Sequence, residues 1–78
     1  MNILVERTTS RVKYAGNYDF TFVAAGIEVR EGGTLLFTVC DLNEQDSDVY
    51  TVDSLPTDFV GDQYTFDNLT GDFARIGG

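Results

Sequence analysis

Apolar and polar residues alternate with period two along most of the chain, and no window sustains the 3.6-residue spacing of an amphipathic helix. Gly, Thr, Asp and β-branched residues make most segments poor helix material. The pattern predicts an all-β fold with strands over 2–8, 11–15, 18–24, 26–30, 34–40, 48–53, 62–67 and 71–76. Between two alternating runs, "REGG" at Arg30 to Gly33 supplies the glycines that a tight hairpin needs for positive φ. "DLNEQDSD" from Asp41 to Asp48 reads as a solvated polar loop without large apolar anchors, and Pro56 falls outside any central strand. Nothing resembling a linker divides the chain, so residues 1–78 are expected to form one small β domain.

A second pattern is an echo. "YTVDSLPTDF" from Tyr50 and "YTFDNLTGDF" from Tyr64 match at Tyr50/Tyr64, Thr51/Thr65, Asp53/Asp67, Leu55/Leu69, Asp58/Asp72 and Phe59/Phe73. Weaker forms of the aromatic-Thr-apolar triplet occur at Phe20 to Phe22 and Phe37 to Val39. In a strand the outer members of each triplet share a face and the Thr takes the other, so each unit offers two apolar side chains to a core. Leu55 and Leu69 are expected to tuck back as plugs behind the turns. The echo is open to two readings, a true repeat or the same strand-and-turn solution reached twice.

"GGTLLFTV" from Gly32 followed by "VGDQYTFDNLTGD" from Val60 resembles the small β-sandwich repeats of bacterial surface and phage proteins, whose strands end in a Tyr-Thr-Phe and then an Asn-Val-Thr-type signature. The likeness covers roughly Gly26 to Asp72. It implies a small antiparallel β-sandwich or barrel of immunoglobulin-like architecture, acting as a spacer, adhesive module or virion decoration. "LNEQDSDVYTV" is similar to the immunoglobulin stretch that leads into the second cysteine, but Val52 stands where that Cys belongs and the chain has no Trp.

Composition narrows the function classes. A chain of 78 residues with ten aromatics can fill one small core. The lone Cys40 cannot form an intramolecular disulfide, favouring a reducing compartment or assembly, and reads as a small buried hydrophobe. The expected location is the host cytoplasm or a virion, since no segment has the form of a signal peptide and no apolar run is long enough for a membrane span. Charge is divided unevenly: residues 1–40 are neutral overall, with Arg7, Arg11 and Lys13 among their cations. Residues 41–78 set Asp41, Glu44, Asp46, Asp48, Asp53, Asp58, Asp62, Asp67 and Asp72 against Arg75 alone, which accounts for the net −8. Such asymmetry repels nucleic acid and membranes and attracts basic protein surfaces.

Catalysis has few candidates. Without histidine there is no imidazole base or ligand, and Cys40 has no neighbouring cation to activate it. No cofactor is expected. Oxygen donors cluster in "DLNEQDSD", yet the glycine and glutamate positions of an EF-hand loop counted from Asp41 hold Asp46 and Val52, leaving only a non-EF-hand calcium site at Asp46 and Asp48 open. Carboxylates at alternate strand positions stand about 6.6 Å apart, near the phosphate spacing of a nucleic-acid strand. In size and charge the chain resembles small acidic phage inhibitors of restriction or CRISPR machinery. The terminal "GG" resembles that of ubiquitin-like proteins, but the helix those folds require is missing from the pattern.

The expectation is therefore a non-enzymatic protein–protein interaction module, an accessory or structural subunit of a larger assembly such as a virion, with homo-oligomerisation open. In that reading the N-terminal segment bearing Arg7, Arg11 and Lys13 adds as an arm or strand to a protein partner. The alternative is an acidic nucleic-acid mimic that occupies the basic groove of a DNA- or RNA-binding protein through Asp41, Glu44, Asp46, Asp48, Asp53, Asp58, Asp62, Asp67 and Asp72.

Overall fold

The computed structural model describes residues 1–76, so the glycine pair Gly77 and Gly78 lies outside the described residues. Eight strands form in chain order: β1 Asn2–Glu6, β2 Arg11–Gly16, β3 Asp19–Val23, β4 Gly26–Glu31, β5 Thr34–Val39, β6 Ser47–Thr51, β7 Tyr64–Asp67 and β8 Asp72–Arg75. They build two antiparallel sheets, β6-β1-β2-β7-β8 and β3-β4-β5, packed as a small β-sandwich. All eight expected strands are present, with ends shifted by a residue or two.

The "REGG" hairpin forms as expected. Gly32 and Gly33 hold φ of 58° and 86°, the pair of left-handed conformations that a two-residue turn of right-handed twist requires. Gly26 serves a different end. A Cβ there would stand 2.1 Å from the carbonyl oxygen of Val39, so only glycine lets β4 begin against the end of β5.

β1 is the hinge of the architecture because "ILV" is a continuous apolar run, the pattern of a strand covered on both faces. Leu4 points into the space between the sheets with Ile27, Val29, Val39 and Leu42. Ile3 and Val5 point the other way, joining Val12 and Phe66 under a second cover. That cover is the segment between β6 and β7, whose Leu55 and Phe59 pack on the outer face of the five-stranded sheet. The single core expected from length is thus split into two clusters, one on each face of β1. Leu42 corrects the reading of "DLNEQDSD" as free of apolar anchors: it is 4% exposed, and it pins the loop to the inter-sheet core.

A bulge fixes how the cover attaches. Leu4 pairs with Tyr14 but Val5 with Val12, leaving Lys13 as an extra residue in β2. Beside this bulge the Asp62 amide donates to the Val12 carbonyl at 2.8 Å, sealing the β2 edge where β7 no longer pairs with it.

The two copies of the echo share the orientation of their leading tyrosine and differ in the backbone that follows. Tyr50 and Tyr64 both face the outer cluster, but Tyr64 opens β7 whereas Tyr50 stands next to the end of β6, which stops at Thr51. Beyond that point Asp67 to Asp72 closes a hairpin in which Gly71 adopts φ 77° and donates to the Asp67 carbonyl. The first copy has Thr57 where the second has Gly71, and Pro56 has no N–H to give a ladder, so it becomes the cover instead. Leu55 packs as a plug, whereas Leu69 at the hairpin tip is 90% exposed and plugs nothing.

Candidate interaction surfaces

The basic residues of the N-terminal segment are turned onto the chain's own carboxylates. Arg7, in the β1–β2 turn, reaches Asp48 with Nε at 3.1 Å and Nη2 at 2.8 Å. The same guanidinium donates to the carbonyls of Glu44, Gln45 and Ser47. One side chain therefore ties the loop before β6 to the first hairpin. The arrangement holds Asp48 below the usual carboxylate range, chiefly through the Arg7 hydrogen bond, and pushes the arginine up for the same reason. Tyr50 is pushed up by desolvation first and by neighbouring Asp48 second.

Lys13 Nζ stands 3.1 Å and Arg11 Nη1 3.6 Å from Asp62 Oδ1, so both cations of β2 share one carboxylate on the cover. Asp62 is lowered mainly by the Lys13 hydrogen bond. The expected arm does not exist: β1 is flanked by β2 and β6 and offers no free edge.

The nine carboxylates of the second half divide by partner. Asp48, Asp58 and Asp62 are ion-paired; Asp58 takes Arg75 at 3.0 Å and the Tyr64 hydroxyl, whose hydrogen bond is the main cause of its lowered pKa and raises that of the phenol. Asp46 precedes β6 and accepts from the Asn43 amide at 2.7 Å and from the buried Ser47 hydroxyl. It is a loop brace rather than a member of an evenly spaced row with Asp48. Asp67 accepts from the Leu69 amide within its turn. Asp41, Glu44, Asp53 and Asp72 have no side-chain hydrogen bond or ion pair among the described residues. No group of three Asp, Glu or Cys side chains gathers closely enough to hold a metal ion among those residues.

Two surfaces stand out among the described residues. One is the open edge of the three-stranded sheet, where β5 pairs only with β4. Val29 pairs with Phe37 but Arg30 with Leu35, so Leu36 is the extra residue of a bulge. Leu35, Leu36 and Phe37 are 45, 46 and 40% exposed, and the Phe37 ring packs at 5.3 Å on Tyr14 of the other sheet. Cys40 follows this strand and is exposed, which corrects its assignment as a buried hydrophobe: the inward position is taken by Val39. The sequence signal for this surface was available in "TLLFTV", whose three consecutive apolar or aromatic side chains cannot all face inward from a two-sided strand.

The other surface is an open cavity of about 510 Å³ on the outer face of the five-stranded sheet. Its aromatic walls are Tyr50, Phe66 and Phe73, with ring centroids 5.3 Å and 5.1 Å apart in sequence. Among the described residues no helix is long and apolar enough to cross a membrane. Comparison of the chain with protein-family models, curated proteins and solved structures finds no match.

Proposed function

We propose that the chain is a non-enzymatic protein–protein interaction module, a small accessory or structural subunit of a larger assembly of the virion type. It docks through the open edge of β5. The observation that carries this reading is the exposure of Leu35, Leu36 and Phe37 on a strand with one unpaired side. Soluble proteins usually blunt such an edge with lysine, proline or inward charge, because its free N–H and C=O groups template strand pairing. From Thr34 to Cys40 the chain carries no charge and no proline, whereas the other edge strands carry Asp19, Asp48, or Asp72 with Arg75.

The partner is an extended protein segment with apolar side chains. Its backbone adds to β5, and its side chains cover Leu36 and the Tyr14–Phe37 pair, the β-augmentation mode of recognition. The acidic surface elsewhere opposes non-specific association of the rest of the molecule. The immunoglobulin-like likeness of the sequence supports the same reading, as modules of that kind assemble through their edges and faces.

The test is capture of partners from the native source by wild type and by Leu36→Lys, at low and high salt. Loss of the captured protein in the variant, with capture by wild type insensitive to salt, supports docking at β5. Equal capture by both proteins, with steep loss as salt rises, sinks it in favour of acidic mimicry.

A further inference from the structure

The echo in the sequence has a spatial counterpart. The residues lining the outer cavity come from 50–54 and 66–73, within its two copies. Val52 and Phe66 hold equivalent places in the echo, as do Ser54 and Asn68, and all four border the same space. The rings of Tyr50, Phe66 and Phe73 border this space, Tyr50 and Phe73 half-buried and Phe66 7% exposed, and aromatic π-faces are electron-rich.

Charge at the rim selects the occupant. Asp53 lines the cavity, is exposed, and has no hydrogen-bond or ion-pair partner among the described residues. Beside it, Asp67 and Asp72 flank the lining residues Asn68 and Gly71 and oppose each other across the hairpin. No cation lines the cavity, and the nearest in sequence, Arg75, is engaged by Asp58. An anion is repelled here, and a neutral apolar ligand would strip water from Asp53 without replacing its hydrogen bonds. A metal ion lacks a third converging carboxylate. A guanidinium meets every requirement: it is planar, weakly hydrated, stacks on aromatic faces and forks onto a carboxylate.

We propose that this cavity binds an arginine side chain of a partner protein, with the guanidinium against the Tyr50–Phe66–Phe73 surface and paired to Asp53. The space is larger than one guanidinium and open to the side, so the partner's main chain lies along Ser54 and Asn68, whose polar groups accompany it. The site is separate from the β5 edge and stands without it.

The experiment titrates the full chain with an acetylated, amidated Ala-Arg-Ala peptide while amide and aromatic NMR signals are followed. Saturable shifts at Asp53, Ser54, Asn68 and the three rings are expected, together with about a tenfold loss of affinity in Asp53→Asn, equivalent to about 1.4 kcal/mol. The matching citrulline peptide, which keeps the shape and lacks the charge, should not bind. Retention of arginine-peptide binding by Leu36→Lys is expected and separates this site from the docking edge. The proposal is overturned by the absence of saturable shifts, by citrulline binding as well as arginine, or by an unaffected Asp53→Asn variant. Free arginine amide binding as tightly as the peptide overturns the assignment to a protein partner.

Discussion

Asp67 and Asp72 are direct cross-strand partners in the β7–β8 hairpin, two carboxylates set opposite each other with no cation between them. Like charges in this register oppose pairing. Asp72→Lys should therefore stabilise the domain by a few tenths of a kcal/mol, and the gain should shrink in high salt. Urea unfolding of both proteins at two ionic strengths measures it; a destabilised variant would contradict the description of the hairpin.

Leu4 and Leu69 offer a contrast at constant chemistry. The first is fully buried between the sheets and the second stands out at a turn. Leu4→Ala should cost about 2–5 kcal/mol, while Leu69→Ala should stay within about 0.5 kcal/mol of wild type. Chemical denaturation checks both values, and a large effect at Leu69 would require it to be the plug that its sequence position suggested.

Gly26→Ala should be among the most damaging single changes in the chain. The residue holds φ 141°, and its new Cβ would overlap the Val39 carbonyl oxygen. A loss of about 3 kcal/mol or more is expected, combining backbone strain with displacement of β5 from β4. The corresponding Gly33→Asn, at a turn position with open space and φ 86°, should be mild.

Acid should act through the paired carboxylates. Asp48, Asp58 and Asp62 have pKa values lowered by hydrogen bonds from Arg7, Tyr64 and Lys13 respectively. A carboxylate lowered on folding gives stability that is fully present above its unfolded value, about 3.9, and lost as pH falls through its folded one. The Asp48→Asn, Asp58→Asn, Asp62→Asn triple variant should thus be less stable than wild type at pH 7, with the gap closing below about pH 4. Thermal melts across that range decide the matter; a gap that widens in acid would reverse the assigned sign.

Cys40 should react with a thiol reagent in the folded protein, since its side chain is exposed beyond the end of β5. Labelling at a rate close to that of the urea-unfolded chain is expected, and full protection in native buffer would return it to the core.

Period-two alternation marked strands such as β3 and β4, because each half-buried strand must sort its side chains by face, while β1 and β5 announced themselves as short apolar runs. It carried less information where one strand is covered twice. "NILVE" has too few residues to distinguish a two-faced strand from an alternating one, and what covers Ile3 and Val5 comes from residues 52–63, a contact that no local pattern encodes. Leu42 was invisible for a similar reason: one apolar residue among polar ones has no period. The charged residues were identified by type but not by partner. Arg7 with Asp48 and Lys13 with Asp62 become neighbours only through sheet order, and pairing neutralises their charges while leaving them partly exposed. The echo, by contrast, was visible at once, but its two halves diverge from Val52 onward, and the first copy has Thr57 where the second has a left-handed glycine.

The position of β1 between β2 and β6 sets a timetable for biosynthesis. Asn2–Glu6 leaves the ribosome early and can form its hairpin with β2 at once, but Ser47–Thr51 must still be translated before its second side is satisfied. At ordinary elongation rates that interval is on the order of seconds. During it β1 stands half-dressed, with one side unpaired and with Ile3, Leu4 and Val5, all buried in the finished fold, still short of their final partners.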